Sequence, residues 1–157
     1  VTTAATTIEV RILDERVRAW GLPDYQSAMA AGIDLVACLD EPLVLPPAAR
    51  AQLVPTGLAV HIGDPGLVGL IVPRSGLGHR AGLVLGNAVG VLDADYTGPL
   101  LISAWNRSAA GSPPIVVQPG DRIAQLLFVP IVRPTFAVVA EFSRTTARGA
   151  GGFGSTG

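Results

Sequence analysis

Apolar and polar positions alternate with a period of two over "IEVRIL" at 8–13, where Ile8, Val10 and Ile12 share one face and Glu9 and Arg11 the other. That alternation predicts a strand with one face buried. Short apolar runs recur: "LVPTGLAVHI" at 53–62, "LVGLIVP" at 67–73, "PLLISAWN" at 99–106 and "RIAQLLFVPIV" at 122–132. Turn-forming stretches separate them, including "GDPG" at 63–66, "NRSAAGSPP" at 106–114 and "QPGD" at 118–121, so each run reads as a strand closed by a turn. Helix is disfavoured, because 13 prolines and 19 glycines leave few windows free of breakers. Between 74 and 98 stand Gly76, Gly78, Gly82, Gly86, Gly90 and Gly98, each costing a helix about 1 kcal/mol relative to alanine. The pattern therefore predicts no more than a short helical turn around 78–82. Several short strands at this spacing predict an all-β fold, a sandwich or barrel with at most one short helix. No repeat or linker divides the chain, so 1–157 reads as one domain. Its two ends, 1–7 and the glycine-rich 143–157, are expected to be flexible unless something docks them.

A chain of 157 residues can bury about two thirds of the surface its unfolded form exposes, enough for one core. A net charge of −1 with 15% charged residues supplies no basic field for nucleic acid or acidic membranes. The single cysteine, Cys38, forms no intrachain disulfide, and His61 and His79 lie too far apart in sequence to suggest a zinc set. A reducing, cytoplasmic setting is the expectation. Glu9, Asp14 and Glu15 interrupt the place a signal peptide would occupy, and "LLFVPIV" at 126–132 is far shorter than the roughly 20 residues of a spanning helix. The reading is therefore a soluble protein with no membrane partner. Hydrophobic residues make up 49% and aromatics only 5%, an aliphatic content larger than one small core hides, and such surplus surface usually meets a partner. A homo-oligomer is expected.

Five stretches carry candidate chemistry. The end of the chain, "RGAGGFGSTG" at 148–157, spells G-x-G-x-x-G through Gly149, Gly151 and Gly154. That fingerprint needs a strand before it and a helix after it. Only three residues follow the last glycine here, so the expectation is anion-binding backbone without a scaffold of its own. In "PRSGLGHRAGL" at 73–83, an arginine and a serine beside glycine offer a guanidinium, a hydroxyl and open N–H groups, suited to phosphate or simply to a polar turn. In "GNAVGVLDADYTG" at 86–98, Asp93 follows apolar Val91 and Leu92 directly, so a carboxylate emerges at the rim of a hydrophobic hairpin. It could take a proton from water, or be a solvated turn residue alongside Asp95. Gln125 in "GDRIAQLLF" interrupts an apolar strand, and Asp34 in "AGIDLVA" lies between Ile33 and Leu35. A buried amide without partners costs about 1–3 kcal/mol, so Gln125 is either satisfied by backbone or aimed at a ligand. Asp34 either caps a turn or reaches a cation.

Taken in order, "AGIDLVA", "PRSGLGHRAGL", "GNAVGVLDADYTG", "GDRIAQLLF" and "RGAGGFGSTG" resemble the five motifs of the trimeric deoxyuridine triphosphatase (dUTPase) family across 31–157. The resemblance implies a jelly-roll β-sandwich and a homotrimer whose active sites are each built from three chains. It implies hydrolysis of dUTP to dUMP and diphosphate, with Mg²⁺ held mainly by the triphosphate and reached by Asp34 through water. Asp93 matches the general base that activates water against the α-phosphorus, and Tyr96 the residue that packs under deoxyribose. Asn87 with the backbone of Val91, Leu92 and Leu101 would read uracil. Arg74, Ser75, Gly76 and Gln125 match phosphate-binding positions. The tail would close over the nucleotide, Phe153 stacking on uracil while Arg148, Gly154, Ser155 and Thr156 hold phosphates. A deoxycytidine triphosphate deaminase of the same fold, or a non-catalytic nucleotide-binding module, is the alternative.

Overall fold

The structure is a computed structural model that describes residues 6–151. Its elements run β1 (Glu9–Ile12), α1 (Val17–Trp20), β2 (Ile33–Val36), β3 (Leu43–Leu45), β4 (Gln52–His61), β5 (Leu67–Pro73), α2 (Ser75–Arg80), β6 (Leu83–Leu85), β7 (Gly90–Leu92), β8 (Pro99–Asn106), β9 (Ile115–Val117) and β10 (Arg122–Pro130). Two four-stranded sheets, ordered β1-β4-β8-β6 and β2-β10-β5-β7, are accompanied by a β3-β9 pair. All these pairings are antiparallel. Chain neighbours repeatedly fall in different sheets, the crossing pattern of a jelly-roll sandwich.

Alternation places the core. Along β4, Val54, Thr56, Leu58 and Val60 are buried while Leu53 and Pro55 face out. Leu35, Ile71, Leu92 and Leu126 of one sheet pack with Val54, Val60, Leu100 and Ile102 of the other. Each such side chain contributes about 1.5–3 kcal/mol on burial. Among the described residues the two buried polar side chains are both satisfied: the Thr56 hydroxyl donates to Leu100 O at 3.0 Å and Asn106 Nδ2 to Leu45 O at 3.0 Å.

Three expectations need correction. Val10 is 45% exposed, not buried, because β1 is the edge strand of its sheet and only Ile12 leans inward. The helical turn begins earlier than 78–82: α2 spans Ser75–Arg80 and ends where Gly82 turns to φ 78°. A second short helix, α1, also forms, held by side chains and not by propensity. Asp14 accepts from Arg16 N and Nε at 3.0 Å and from Nη2 at 2.6 Å, and Arg16 Nη1 reaches Leu39 O and Asp40. These bonds from Arg16, side chain first and then backbone, hold the Asp14 carboxyl well below the usual carboxylate range. Val17 then plugs a small satellite core with Cys38 and Leu58. Burial there pushes the Cys38 thiol up, making it a poor nucleophile.

Gly57 makes this docking possible. The β4–β8 register shifts between Pro55 and Ala59, and Gly57 at φ 71° turns its carbonyl to accept Leu13 N at 2.8 Å. A β-carbon there would stand 2.5 Å from Val17 Cγ2. The strand expected over 122–132 stops at Pro130, and Ile131 N donates to Gly66 O. Beyond it Val132, Phe136, Val138 and Phe142 are 89–101% exposed.

Candidate functional site

Strand register builds the first cluster. Gln125 lies opposite Asp34 on one side and Val72 on the other, and Ala124 opposite Pro73, so β2, β10 and β5 bring their polar residues to one end of the sheet. Arg74 leaves β5 in extended conformation and begins α2. Its Nε pairs with Asp34 Oδ1 at 2.9 Å, while Arg122 Nη1 pairs with Asp34 Oδ2 at 3.2 Å. Asp34 therefore meets cations, one of its two expected uses. The Gln125 amide donates to Pro73 O at 3.0 Å, so backbone satisfies it, and its Oε1 packs against Gly32, where a β-carbon would stand 2.5 Å away. Together with Ser75 and Gly76 these groups line a cavity of about 440 Å³. The first amides of α2 have no partner within so short a helix. Several guanidiniums facing one carboxylate, beside free N–H groups, suit a polyanion.

Sequence reasoning missed Arg122 and Gln26. Arg122 lies within "GDRIAQLLF", but only pairing of β10 with β2 sets it beside Asp34, and Gln26 Oε1 then accepts from Arg122 Nη1 at 3.3 Å. The signal for Arg122 was its own motif. For Gln26, on an irregular loop, there was none.

The second cluster lies on the hairpin from Gly86 to Leu101. Here β7 pairs only with β5, at the edge of one sheet, while β8 belongs to the other, so the two strands part and leave a gap. Alternation turns the N–H and C=O of every second residue of the edge strand toward that gap. Ser103 O accepts Gly86 N at 2.8 Å, away from β4, and Leu101 has the same parity, so its backbone groups face the gap too. Val91 and Leu101 are 66% and 45% exposed, which gives the gap apolar walls. The Asn87 amide has no side-chain hydrogen bond among the described residues. Tyr96 folds back over the turn: its N–H donates to Asp93 O at 3.1 Å, its hydroxyl to Pro99 O at 3.0 Å, and its ring covers Gly98. The Asp93 carboxylate has no ion pair or side-chain hydrogen bond among the described residues, and lines a cavity of about 520 Å³ with His61, Asp95 and Arg133.

The clusters do not meet within one chain. Leu92 lies opposite Gly69 near the start of β5, and Arg74 follows its end, a separation of about 17 Å at the usual strand rise. Arg148 joins neither cavity; its Nε donates to Gly151 O at 2.8 Å within the tail. Phe153, Gly154, Ser155 and Thr156 lie outside the described residues. Among the described residues no group of three His, Cys, Asp or Glu could cage a metal, and no helix is long and apolar enough to cross a membrane.

A dUTPase family model matches residues 18–157. The deoxyuridine 5'-triphosphate nucleotidohydrolase of Methylibium petroleiphilum is 57% identical over 152 residues, covering 97% of this chain and 98% of the relative. A solved variant dUTPase of Staphylococcus bacteriophage 80alpha with dUpNHpp superposes with TM-score 0.77 at 29% identity, covering 98% of this chain and 99% of that one. A dUTPase from phage phi11 of S. aureus, described with a structural Mg(II) ion, superposes with TM-score 0.76 at 30% identity, covering 88% and 99%.

Proposed function

Because this chain belongs to the dUTPase family, we propose that it hydrolyses dUTP to dUMP and diphosphate at a site assembled from separate copies of itself. The observation that carries this reading is the unengaged Asp93 carboxylate, which directly follows β7, the edge strand of the hairpin. Uracil enters the gap, hydrogen-bonded by Asn87 and the backbone of Val91, Leu92 and Leu101, while the Tyr96 ring packs under the sugar. A 2′-hydroxyl finds no room there. Asp93 takes a proton from water as the water oxygen bonds to the α-phosphorus. The bond from that phosphorus to the bridging oxygen breaks, and diphosphate leaves with the electron pair.

Charge on the leaving group is met by Arg74, Ser75, Gly76 and Gln125 of a second copy, because those of the same chain lie too far away. Such positioning with cationic stabilisation supplies most of phosphoryl-transfer catalysis. The residues present fit Mg²⁺ carried by substrate: one carboxylate, Asp34, among arginines is too few ligands for a protein cage. The ion would supply charge neutralisation on the phosphates, and Asp34 is the residue that would hold it, through water. Arg148, Phe153, Gly154, Ser155 and Thr156 of a third copy close the site, making a homotrimer. The bare apolar residues between 131 and 142 are surface that such neighbours cover. A buried, unpaired Cys38 suits a reducing cytoplasm.

Diphosphate release measured across the nucleoside triphosphates, with and without Mg²⁺, tests this function; release from dUTP above all others is expected. Ammonia from dCTP would overturn it. Asp93→Asn should lower kcat by at least about 10²-fold with nucleotide affinity retained, and unchanged turnover would remove Asp93 from its role.

A further inference from the structure

Arg80 is the last residue of α2, yet its guanidinium lies over the helix's first turn. A β-carbon on Gly76 would stand 2.9 Å from Arg80 Nη2 and 3.4 Å from its Cζ. Helical side chains lean toward the N-terminus, so a residue four positions on covers the preceding turn. The absent side chain at Gly76 clears the way. Electrostatically the direction is uphill, since a basic group at a C-terminal turn gains more near the last carbonyls. One of those carbonyls is already served: Gly78 O accepts from Arg107 Nη2 at 3.1 Å. Arg80 reaches instead into the cavity that holds Arg74, Arg122 and Asp34. Both of those arginines are paired with Asp34, while Arg80 has no ion pair or side-chain hydrogen bond among the described residues.

Three guanidiniums against one carboxylate leave an excess of about two positive charges, and a triphosphate complexed to a divalent cation keeps about two negative ones. We propose that Arg80 is a further substrate-binding residue that holds the distal phosphates and sets the preference for triphosphate over monophosphate. This rests on the proposed binding of dUTP at the same cavity. Arg80 bears on the phosphates remote from the reacting centre, so its removal weakens retention of substrate more than of product.

The test compares wild type, Arg80→Gln and Arg80→Lys by calorimetric titration with dUMP and with a non-hydrolysable imido analogue of dUTP plus Mg²⁺, alongside kcat and KM for dUTP. Arg80→Gln should weaken the analogue about tenfold and leave dUMP within about twofold, with Arg80→Lys recovering most of the loss. Exposure and lack of partners keep the fold intact, which an unchanged thermal midpoint verifies. Equal weakening of both ligands, or of neither, overturns the proposal. A wild-type protein that binds no analogue overturns the dUTP reading itself, a result distinct from a silent Arg80 variant of an active enzyme.

Discussion

At Gly98 a methyl group would stand 2.5 Å from the Tyr96 hydroxyl and 2.7 Å from Cζ. Gly98 is not among the positive-φ glycines, so alanine suits its backbone and the effect is purely steric. The ring must tilt, breaking the bond from the hydroxyl to Pro99 O. If the ring excludes a 2′-hydroxyl, Gly98→Ala should lower the ratio of kcat/KM for dUTP over UTP about tenfold; steady-state kinetics with both nucleotides reads it. A fall in both constants by one factor would mean that Tyr96 supports the hairpin without selecting the sugar. Asp34 teaches a related lesson: a carboxylate between Ile33 and Leu35 had two open uses, and only the pairing of β2 with β10 delivered Arg122 to it.

Among the elements, α1 depends on a charge as well as on packing. Asp14 has a depressed folded-state pKa, since Arg16 bonds its ionised form. Its contribution is therefore present above the unfolded value of about 3.9 and is lost as pH falls below it. Asp14→Asn should lower the thermal midpoint at neutral pH and flatten its decline in acid; identical acid profiles for both proteins would show that the clamp does not stabilise the fold. The longer strands were legible in sequence because β4, β5 and β8 are apolar runs of seven to ten residues closed by turn-forming stretches. Strands of three residues, such as β3, β6, β7 and β9, offer no such run. They exist because the fold brings a partner alongside: β6 and β7 pair with the longer β8 and β5, and β3 pairs with the equally short β9.

For the whole molecule, the distance between Asp93 and Arg74 is the governing fact, and it has a direct test. Asp93→Asn and Arg74→Ala should each be inactive alone, yet co-assembled in equal amounts they should recover about a quarter of wild-type activity, since random mixing leaves that share of sites intact when the two residues come from different copies. No recovery would place both residues in one site of one chain. Residue order alone determined the all-β class, most long strands and the candidates for the reactive groups, because apolar runs, turn signals and motif chemistry are local and survive without coordinates. Tertiary structure decided which groups meet, including ones the sequence did not single out: Arg122 paired with Asp34 and bonded to Gln26, Arg80 turned back over Gly76, and Asp93 was set at the far end of β5 from Arg74. Long-range antiparallel register makes these assignments, and it depends on how two sheets pack together and not on spacing along the chain.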